Sequence, residues 1–97
     1  MNWILLVRPE AEQDMISACH WYNQKRACLG LEFSDAVVMA MQELASSPEH
    51  HRLYYRNFRR ILLPRFPSKI FYQIIGTRVV VFRVLYAKQS HQAMGET

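Results

Sequence analysis

The sequence lacks any stretch of roughly 20 apolar residues, the length that a helix needs to cross a bilayer. An apolar segment opens the chain, but it has no basic start, and Arg8, Glu10 and Glu12 follow it closely. This pattern does not fit a secretory signal. We therefore expect a cytoplasmic protein with no membrane partner.

Glycine, cysteine and metal-ligand clusters are also scarce. Three glycines are too few for a glycine-rich loop that cradles phosphate. Cys19 and Cys28 are predicted to lie on one helix, about 13 Å of rise apart, which is too far for a disulfide. We expect both to be reduced and buried. The four histidines have no carboxylate or cysteine at zinc-ligand spacing, so no metal or other cofactor is predicted.

Acidic residues are nearly absent from the second half. Residues 1–47 carry three basic and six acidic side chains, whereas residues 48–95 carry nine basic and one acidic. The positive electrostatic potential of such a basic half attracts polyanions or an acidic protein. A merely solvated basic surface would have the same composition, and the sequence leaves both readings open.

Residues 9–47 have the pattern of two helices. Pro9 suits a first helical position, and the acidic residues after it favour a helix N-terminus. Apolar residues recur at helical spacing in two stripes: Ala11, Met15, Ala18, Cys19 and Tyr22, then Phe33, Val37, Ala40 and Leu44. Gly30 is placed to cap the first helix, and Ser47 before Pro48 ends the second. The short connection predicts an antiparallel hairpin.

The rest of the chain changes to strand periodicity. A short strand at residues 2–7 precedes the helices, and residues 48–57 are predicted to form a polar loop. Strands are predicted at 58–63, 68–75 and 78–86, the last two joined by a turn at Gly76 and Thr77. Residues 88–97 fit a flexible tail. We predict one α+β domain over residues 1–97, in which the helical hairpin packs on a C-terminal three- to four-stranded antiparallel sheet (β-α-α-β-β-β).

The predicted turn places Tyr72 opposite Val81 and Phe71 opposite Phe82. One face of the sheet then carries Ile70, Tyr72, Ile74, Val79, Val81, Arg83 and Leu85, and the other carries Lys69, Phe71, Gln73, Val80, Phe82, Val84 and Tyr86. Both faces are largely apolar, and the helices can cover only one. We expect the other to be exposed for a partner, unless the tail or neighbouring strands fill it.

The arginines of the strands have structural readings beside the functional ones. Arg59 or Arg60 must lie near the core side, where Glu32, Asp35 or Glu43 could pair with it. Arg83 lies mid-strand among apolar residues, so it either pairs with a buried acid or projects into a site.

Two segments resemble the RelE/ParE superfamily of toxins from type II toxin–antitoxin systems. Residues 7–33, with Trp21-Tyr22 and the Leu29-Gly30-Leu31 step, are similar to the helical hairpin of ParE-type toxins. The segment RRILLPRFPSKIFYQI at residues 59–74 resembles the family's basic strand, Arg-Phe-Pro turn and Ile-x-Tyr strand. The likeness spans about residues 3–88.

The resemblance implies a toxin neutralised by a cognate antitoxin, through which the pair binds its operator DNA. ParE-like toxins poison DNA gyrase, whereas RelE-like toxins cut messenger RNA in the ribosome with basic residues and a C-terminal tyrosine. The Arg-Phe-Pro turn and the long helical hairpin favour the ParE-like branch, a gyrase poison rather than an enzyme. A metal-free ribosome-dependent endoribonuclease and a non-toxic relative that only binds an antitoxin stay open.

The resemblance also assigns candidate site residues. In a ribonuclease, Arg59, Arg60, Lys69 and Lys88 would be the basic groups, and His91 could serve as acid or base. Gln89 replaces a further expected arginine, and no tyrosine follows Tyr86. The residues expected to meet the target or the antitoxin are Arg59, Arg60, Arg65, Lys69, Phe71, Arg83, Tyr86 and Lys88.

Overall fold

The computed structural model describes residues 3–86. The elements are β1 (Ile4–Val7), α1 (Pro9–Lys25), α2 (Leu29–Ser46), a 3-10 turn (Pro48–His50), β2 (Leu53–Tyr55), β3 (Phe58–Leu62), β4 (Ser68–Ile75) and β5 (Arg78–Tyr86). The predicted α+β architecture and element order are confirmed. The predicted tail at residues 88–97 lies outside the described residues.

The five strands form one mixed sheet in the order β1-β5-β4-β3-β2. β1 is an edge strand that runs parallel to β5, and the other pairings are antiparallel. The prediction of a plain polar loop at residues 48–57 is wrong, because this segment contains the 3-10 turn and β2. Tyr55 and Phe58 are paired across a two-residue turn in which Arg56 adopts a positive φ of 54°.

The core lies between the helical hairpin and one face of the sheet. Ala11 and Tyr22 from α1 and the buried stripe of α2 meet side chains of β3, β4 and β5. The buried residues from the sheet and the β3–β4 turn are Ile61, Leu63, Phe66, Ile70, Tyr72, Val79, Val81 and Val84. The Tyr72 hydroxyl donates a hydrogen bond of 2.7 Å to the Pro48 carbonyl, so this buried tyrosine also fixes the loop after α2.

A bulge in β5 changes the predicted register. Tyr72 does pair with Val81, but Phe71 pairs with Arg83 rather than with Phe82. The extra residue reverses the faces beyond it, because side chains alternate along a strand. Val84 therefore joins the core, and the predicted assignment of Val84 and Leu85 to faces is wrong.

The turn between the helices also differs from the prediction. Cys28, not a glycine, adopts the left-handed conformation there (φ 67°) and is exposed, whereas Cys19 is half-buried on α1. Gly30 lies in the first turn of α2 rather than capping α1. An added Cβ at Gly30 would stand 2.4 Å from the Cys19 carbonyl oxygen. Glycine is thus required by the close approach of the two helices.

Candidate functional site

The sheet face turned away from the helices, called here the outer face, carries a cluster of aromatic and basic side chains. Its members, the outer-face cluster, are Tyr54, Phe58, Arg60, Lys69, Phe71 and Phe82. Arg60 and Phe71 are cross-strand partners, so their side chains lie on the same face. Lys69 and Phe58 stand two residues from them along β4 and β3, which places them on that face too.

Each cation of the outer-face cluster lies against an aromatic ring. The Arg60 guanidinium carbon is 3.9 Å from the centre of the Tyr54 ring, and Lys69 Nζ is 5.5 Å from that of Phe71. Tyr54 and Phe71 are themselves 5.8 Å apart, centre to centre. These distances fall within the range of cation–π attraction, so the rings hold the two charges in place.

A second group of contacts continues the cluster toward β1. The rings of Phe58 and Phe82 meet edge to face at 5.1 Å, and the Arg8 guanidinium lies 4.9 Å from the centre of Phe82. Phe82 is the extra residue of the bulge in β5. Phe82 thus adds a fourth aromatic ring to this face, beside Tyr54, Phe58 and Phe71.

The centre of the outer face is buried. Phe71 is 0% exposed and Lys69 is 6% exposed, although neither belongs to the core beneath the helices. The prediction of a broad exposed apolar surface here is therefore wrong. Tyr54 and Arg60 lie against the centre because β2 adds a strand at this edge. Exposed apolar side chains of this face lie at its margins, at Leu62 and Leu6.

Burial has an electrostatic consequence for Lys69. Desolvation, and then the nearby positive charge of Arg60, lower the pKa of the Lys69 ammonium below its usual value. A negative charge close to Lys69 would raise this pKa again, because it would oppose the effect of Arg60.

Arg59 lies apart from the outer-face cluster. It pairs with Tyr72, whose ring is in the core, and its guanidinium donates to the backbone carbonyl of His51. Arg59 is therefore the arginine on the core side, as the alternation requires. Its partner is a carbonyl rather than one of the carboxylates expected from the sequence.

Arg65 and Arg83 form ion pairs with the helices. Arg65, in the turn after β3, lies 3.0 Å from Glu32 on α2. Arg83 makes two bonds to Asp14 on α1, of 2.7 and 2.9 Å, and Asp14 also accepts a 3.0 Å bond from the Val84 backbone N–H. Of the two sequence readings of Arg83, pairing with an acid is confirmed. This bond raises the pKa of the guanidinium, partly offset by burial.

Tyr86 also lies apart from the outer-face cluster. It lines a groove of about 570 Å³ between α1 and the end of β5, together with Trp21 and Val84. Lys88 and His91 lie outside the described residues. Of the predicted site residues, the structure brings together Arg60, Lys69 and Phe71.

The sequence prediction missed Tyr54, Phe58 and Phe82. The β-prone run Leu53-Tyr54-Tyr55, followed by two polar residues, is a signal for a short hairpin with β3. The predicted alternation of β5 does place Phe82 on the face of Lys69 and Phe71, but Phe82 was not among the predicted site residues.

The outer-face cluster can bind an anion and stack against a planar group. Arg60 offers several N–H donors and Lys69 a point charge, and Tyr54 offers an exposed ring. The cluster contains no carboxylate and no imidazole, the groups that most often move protons in general acid–base catalysis. Its composition favours binding over proton transfer.

Two further findings concern the described part of the chain. No three histidine, cysteine, aspartate or glutamate side chains of residues 3–86 are grouped closely enough to hold a metal ion. No helix within the same residues is long and apolar enough to span a membrane.

The fold is that of known toxins. The chain superposes on a structure of the chromosomal ParDE toxin–antitoxin system of P. aeruginosa with a TM-score of 0.81 and 15% identity, covering 90% of this chain and 98% of that one. The RelBE2 toxin–antitoxin complex of Mycobacterium tuberculosis gives 0.65 at 18% identity, with 89% and 99% covered. No family model and no curated protein sequence matches the chain.

A third similar structure is an E. coli RelE toxin, an arginine double mutant in the free state. Its TM-score is 0.58 at 18% identity, and the superposition covers 91% of this chain and 86% of that one. The chain therefore has the RelE/ParE toxin fold. At these identities the likeness concerns the fold, and activity must be argued from the residues.

Proposed function

We propose that this chain is the toxin of a type II toxin–antitoxin pair, that a cognate antitoxin neutralises it, and that it acts by binding DNA gyrase. The observation that carries the proposal is the full-length likeness to the ParDE structure, which covers 98% of that chain. The outer-face cluster supplies a compatible binding surface in the exposed ring of Tyr54 and the Arg60 guanidinium held against it.

The antitoxin half of the proposal is supported by charge. Glu49 is the only acidic residue between positions 48 and 95, so the strands present positive charge with few compensating carboxylates of their own. An antitoxin segment with acidic and apolar side chains would complement this surface. Operator DNA would then be contacted through the antitoxin.

The choice of gyrase over RNA cleavage is supported by what the outer-face cluster contains. Cutting RNA without a metal requires a base for the 2′-hydroxyl, cations for the phosphate and an acid for the leaving oxygen. Arg60 and Lys69 could serve as the cations, and this keeps a RelE-like ribonuclease as the second candidate. Arg60 and Lys69 are not the side chains that usually act as the base and the acid in this reaction.

Induced expression without the antitoxin separates the candidates. We expect growth arrest with filamentous cells and DNA-damage signalling, the response to a poisoned gyrase. Rapid arrest of translation with cleaved transcripts would indicate the ribonuclease instead. Healthy growth would overturn both toxic readings and leave a relative that only binds an antitoxin.

Purified variants test the outer-face cluster. We expect Arg60→Ala and Lys69→Met to weaken inhibition of DNA supercoiling by purified gyrase at least tenfold, because each removes a held cation. Arg78→Ala is the matched control, since Arg78 is exposed at the far end of the β4–β5 hairpin.

Circular dichroism melting must accompany these assays. If the Arg60 and Lys69 variants fold normally and inhibit as well as the Arg78 variant does, the cluster is not the contact surface. If they lose their fold, the site assignment is likewise rejected in favour of a structural role.

A further inference from the structure

A second groove lies at the margin of the core, between α2 and the end of β3. Its volume is about 390 Å³. The buried side chains of Ala40 and Ile61 and the half-buried Ala36 form its floor. The groove shares none of its lining with the outer-face cluster.

Small side chains on α2 create this groove. Ala36 and Ala40 stand one helical turn apart on the same face, where larger residues would fill the space between helix and strand. β2 pairs with β3 only at Phe58 and Arg59, so it does not extend along the strand to cover Leu62.

The walls of the groove are apolar and unusually exposed. Met39 on α2 is 69% exposed, and Leu62, at the margin between the groove and the outer face, is 57% exposed. Leu31 and Val38 on the same helix are also exposed, but they do not line the groove. Such a patch on a small protein marks a contact surface, and methionine adapts readily to a partner's shape.

Carboxylates give the rim of the groove a negative charge. Glu32, Asp35 and Glu43 line it against a single cation, Arg65. Glu32 is bonded to both Arg65 and Arg26, and Glu43 is bonded to His51, so the negative charge of the rim comes from Asp35 and Glu43. Asp35 is exposed and forms no ion pair within residues 3–86. A negative rim on a chain of net charge +4 selects against the acidic segment expected on the outer face.

We propose that this groove binds a basic amphipathic helix of a partner protein. The apolar side chains of that helix pack against Met39 and the floor formed by Ala36 and Ile61, and its lysine or arginine side chains face Asp35 and Glu43. The twelve residues from Glu32 to Glu43 make the wall about 16 Å long, enough for about three turns of a packed helix. The proposal does not depend on the toxin assignment.

Two synthetic peptides test the charge of the occupant. Both are 14-residue, fluorescein-labelled helices with leucine at four positions along one face, and they differ only in carrying lysine or glutamate beside the leucines. We expect the lysine peptide to bind the purified chain at least tenfold more tightly in fluorescence anisotropy, and to weaken as salt is added.

Matched variants locate the binding. Asp35→Asn, which removes a negative charge, and the control Gln42→Lys, which adds a positive one, each raise the net charge of α2 by one, but Gln42 does not line the groove. We expect Asp35→Asn to weaken the lysine peptide at least threefold, Met39→Ala to weaken it further, and Gln42→Lys to leave it nearly unchanged.

Several results would overturn the proposal. Equal affinity for both peptides, a preference for the glutamate peptide, or equal effects of Asp35→Asn and Gln42→Lys would each do so. Self-association in sedimentation that Met39→Ala abolishes would show that a second copy covers the groove instead. If Met39→Ala does not fold, the comparison of Asp35→Asn with Gln42→Lys, both at exposed positions, still tests the proposal.

Discussion

At the scale of single residues, Asp14 joins a helix to a strand through its hydrogen bonds. It lies on α1 but accepts both guanidinium bonds of Arg83 and the backbone N–H of Val84, at the bulge in β5. One carboxylate thus ties a helix to the point where the strand changes register. Arg83, which the sequence placed among candidate binding residues, serves this link.

We predict that Asp14→Asn lowers the free energy of unfolding by about 2 kcal/mol, because it leaves a half-buried arginine without its counter-charge. Urea denaturation at neutral pH measures the loss. Glu12→Gln, on the exposed side of the same helix, is the control. A loss no greater than that of the control would contradict the structural role.

Tyr72 offers a test by pH. Burial raises the pKa of its hydroxyl to about 12. The nearby Arg59 lowers this pKa and Glu43 raises it, both by smaller amounts than burial does. Because the pKa of an unfolded tyrosine is about 10, the folded state holds the proton more tightly. Stability from this group is therefore complete below pH 10 and is lost between about pH 10 and 12.

We predict that this loss is about 2 to 3 kcal/mol for the native chain and absent from Tyr72→Phe. Urea denaturation of both proteins at pH 9 and above pH 11 gives the change in the free energy of unfolding of each. Subtracting the change in Tyr72→Phe from that in the native chain removes the contribution of other groups. Equal changes in the two proteins would show that Tyr72 does not retain its proton. At neutral pH, Tyr72→Phe should cost about 1 to 2 kcal/mol through the unpaired Pro48 carbonyl.

At the scale of elements, the helical hairpin depends on how closely α1 and α2 approach. Gly30 N–H donates to the Asn23 side chain at 2.8 Å, and the Cys19 carbonyl occupies the space where a Cβ would stand. The other described turn glycine, Gly76, has a positive φ of 63° but no heavy atom near its Cβ position. The two glycines are thus required for different reasons.

We predict that Gly30→Ala lowers the free energy of unfolding by about 3 kcal/mol, since two helix backbones must separate. Gly76→Ala should cost only about 1 to 2 kcal/mol, the price of a left-handed alanine in an open turn. Thermal or urea denaturation of the pair compares them directly. Equal losses of unfolding free energy would mean that α1 and α2 can move apart at a lower cost than their close packing suggests.

At the scale of the whole molecule, charge is divided between surfaces. The outer-face cluster carries Arg60 and Lys69, while the groove beside α2 has a rim of Glu32, Asp35 and Glu43. A chain with two surfaces of opposite charge can hold an acidic and a basic partner at once. In a toxin, this would allow neutralisation at one surface and a further contact at the other.

The sequence by itself determined the elements of the chain. Helical stripes, Pro9, the Gly76 turn and the alternation of β4 and β5 are local patterns, and the two helices and the bounds of the last two strands follow from them. The turn between the helices and the short strand β2 did not follow from these patterns. Local propensity and hydrophobic period carry this information without any knowledge of distant contacts. The toxin fold was instead expected from the resemblance of residues 7–33 and 59–74 to known toxins.

Only the tertiary structure decided which side chains share a surface. A single extra residue in β5 reverses the direction of the side chains beyond it, so Val84 enters the core instead of the outer face. Likewise, Arg83 became a structural residue because Asp14, 69 positions away in the chain, lies beside it. Register and long-range pairing depend on packing across the whole domain, which no local window of sequence contains.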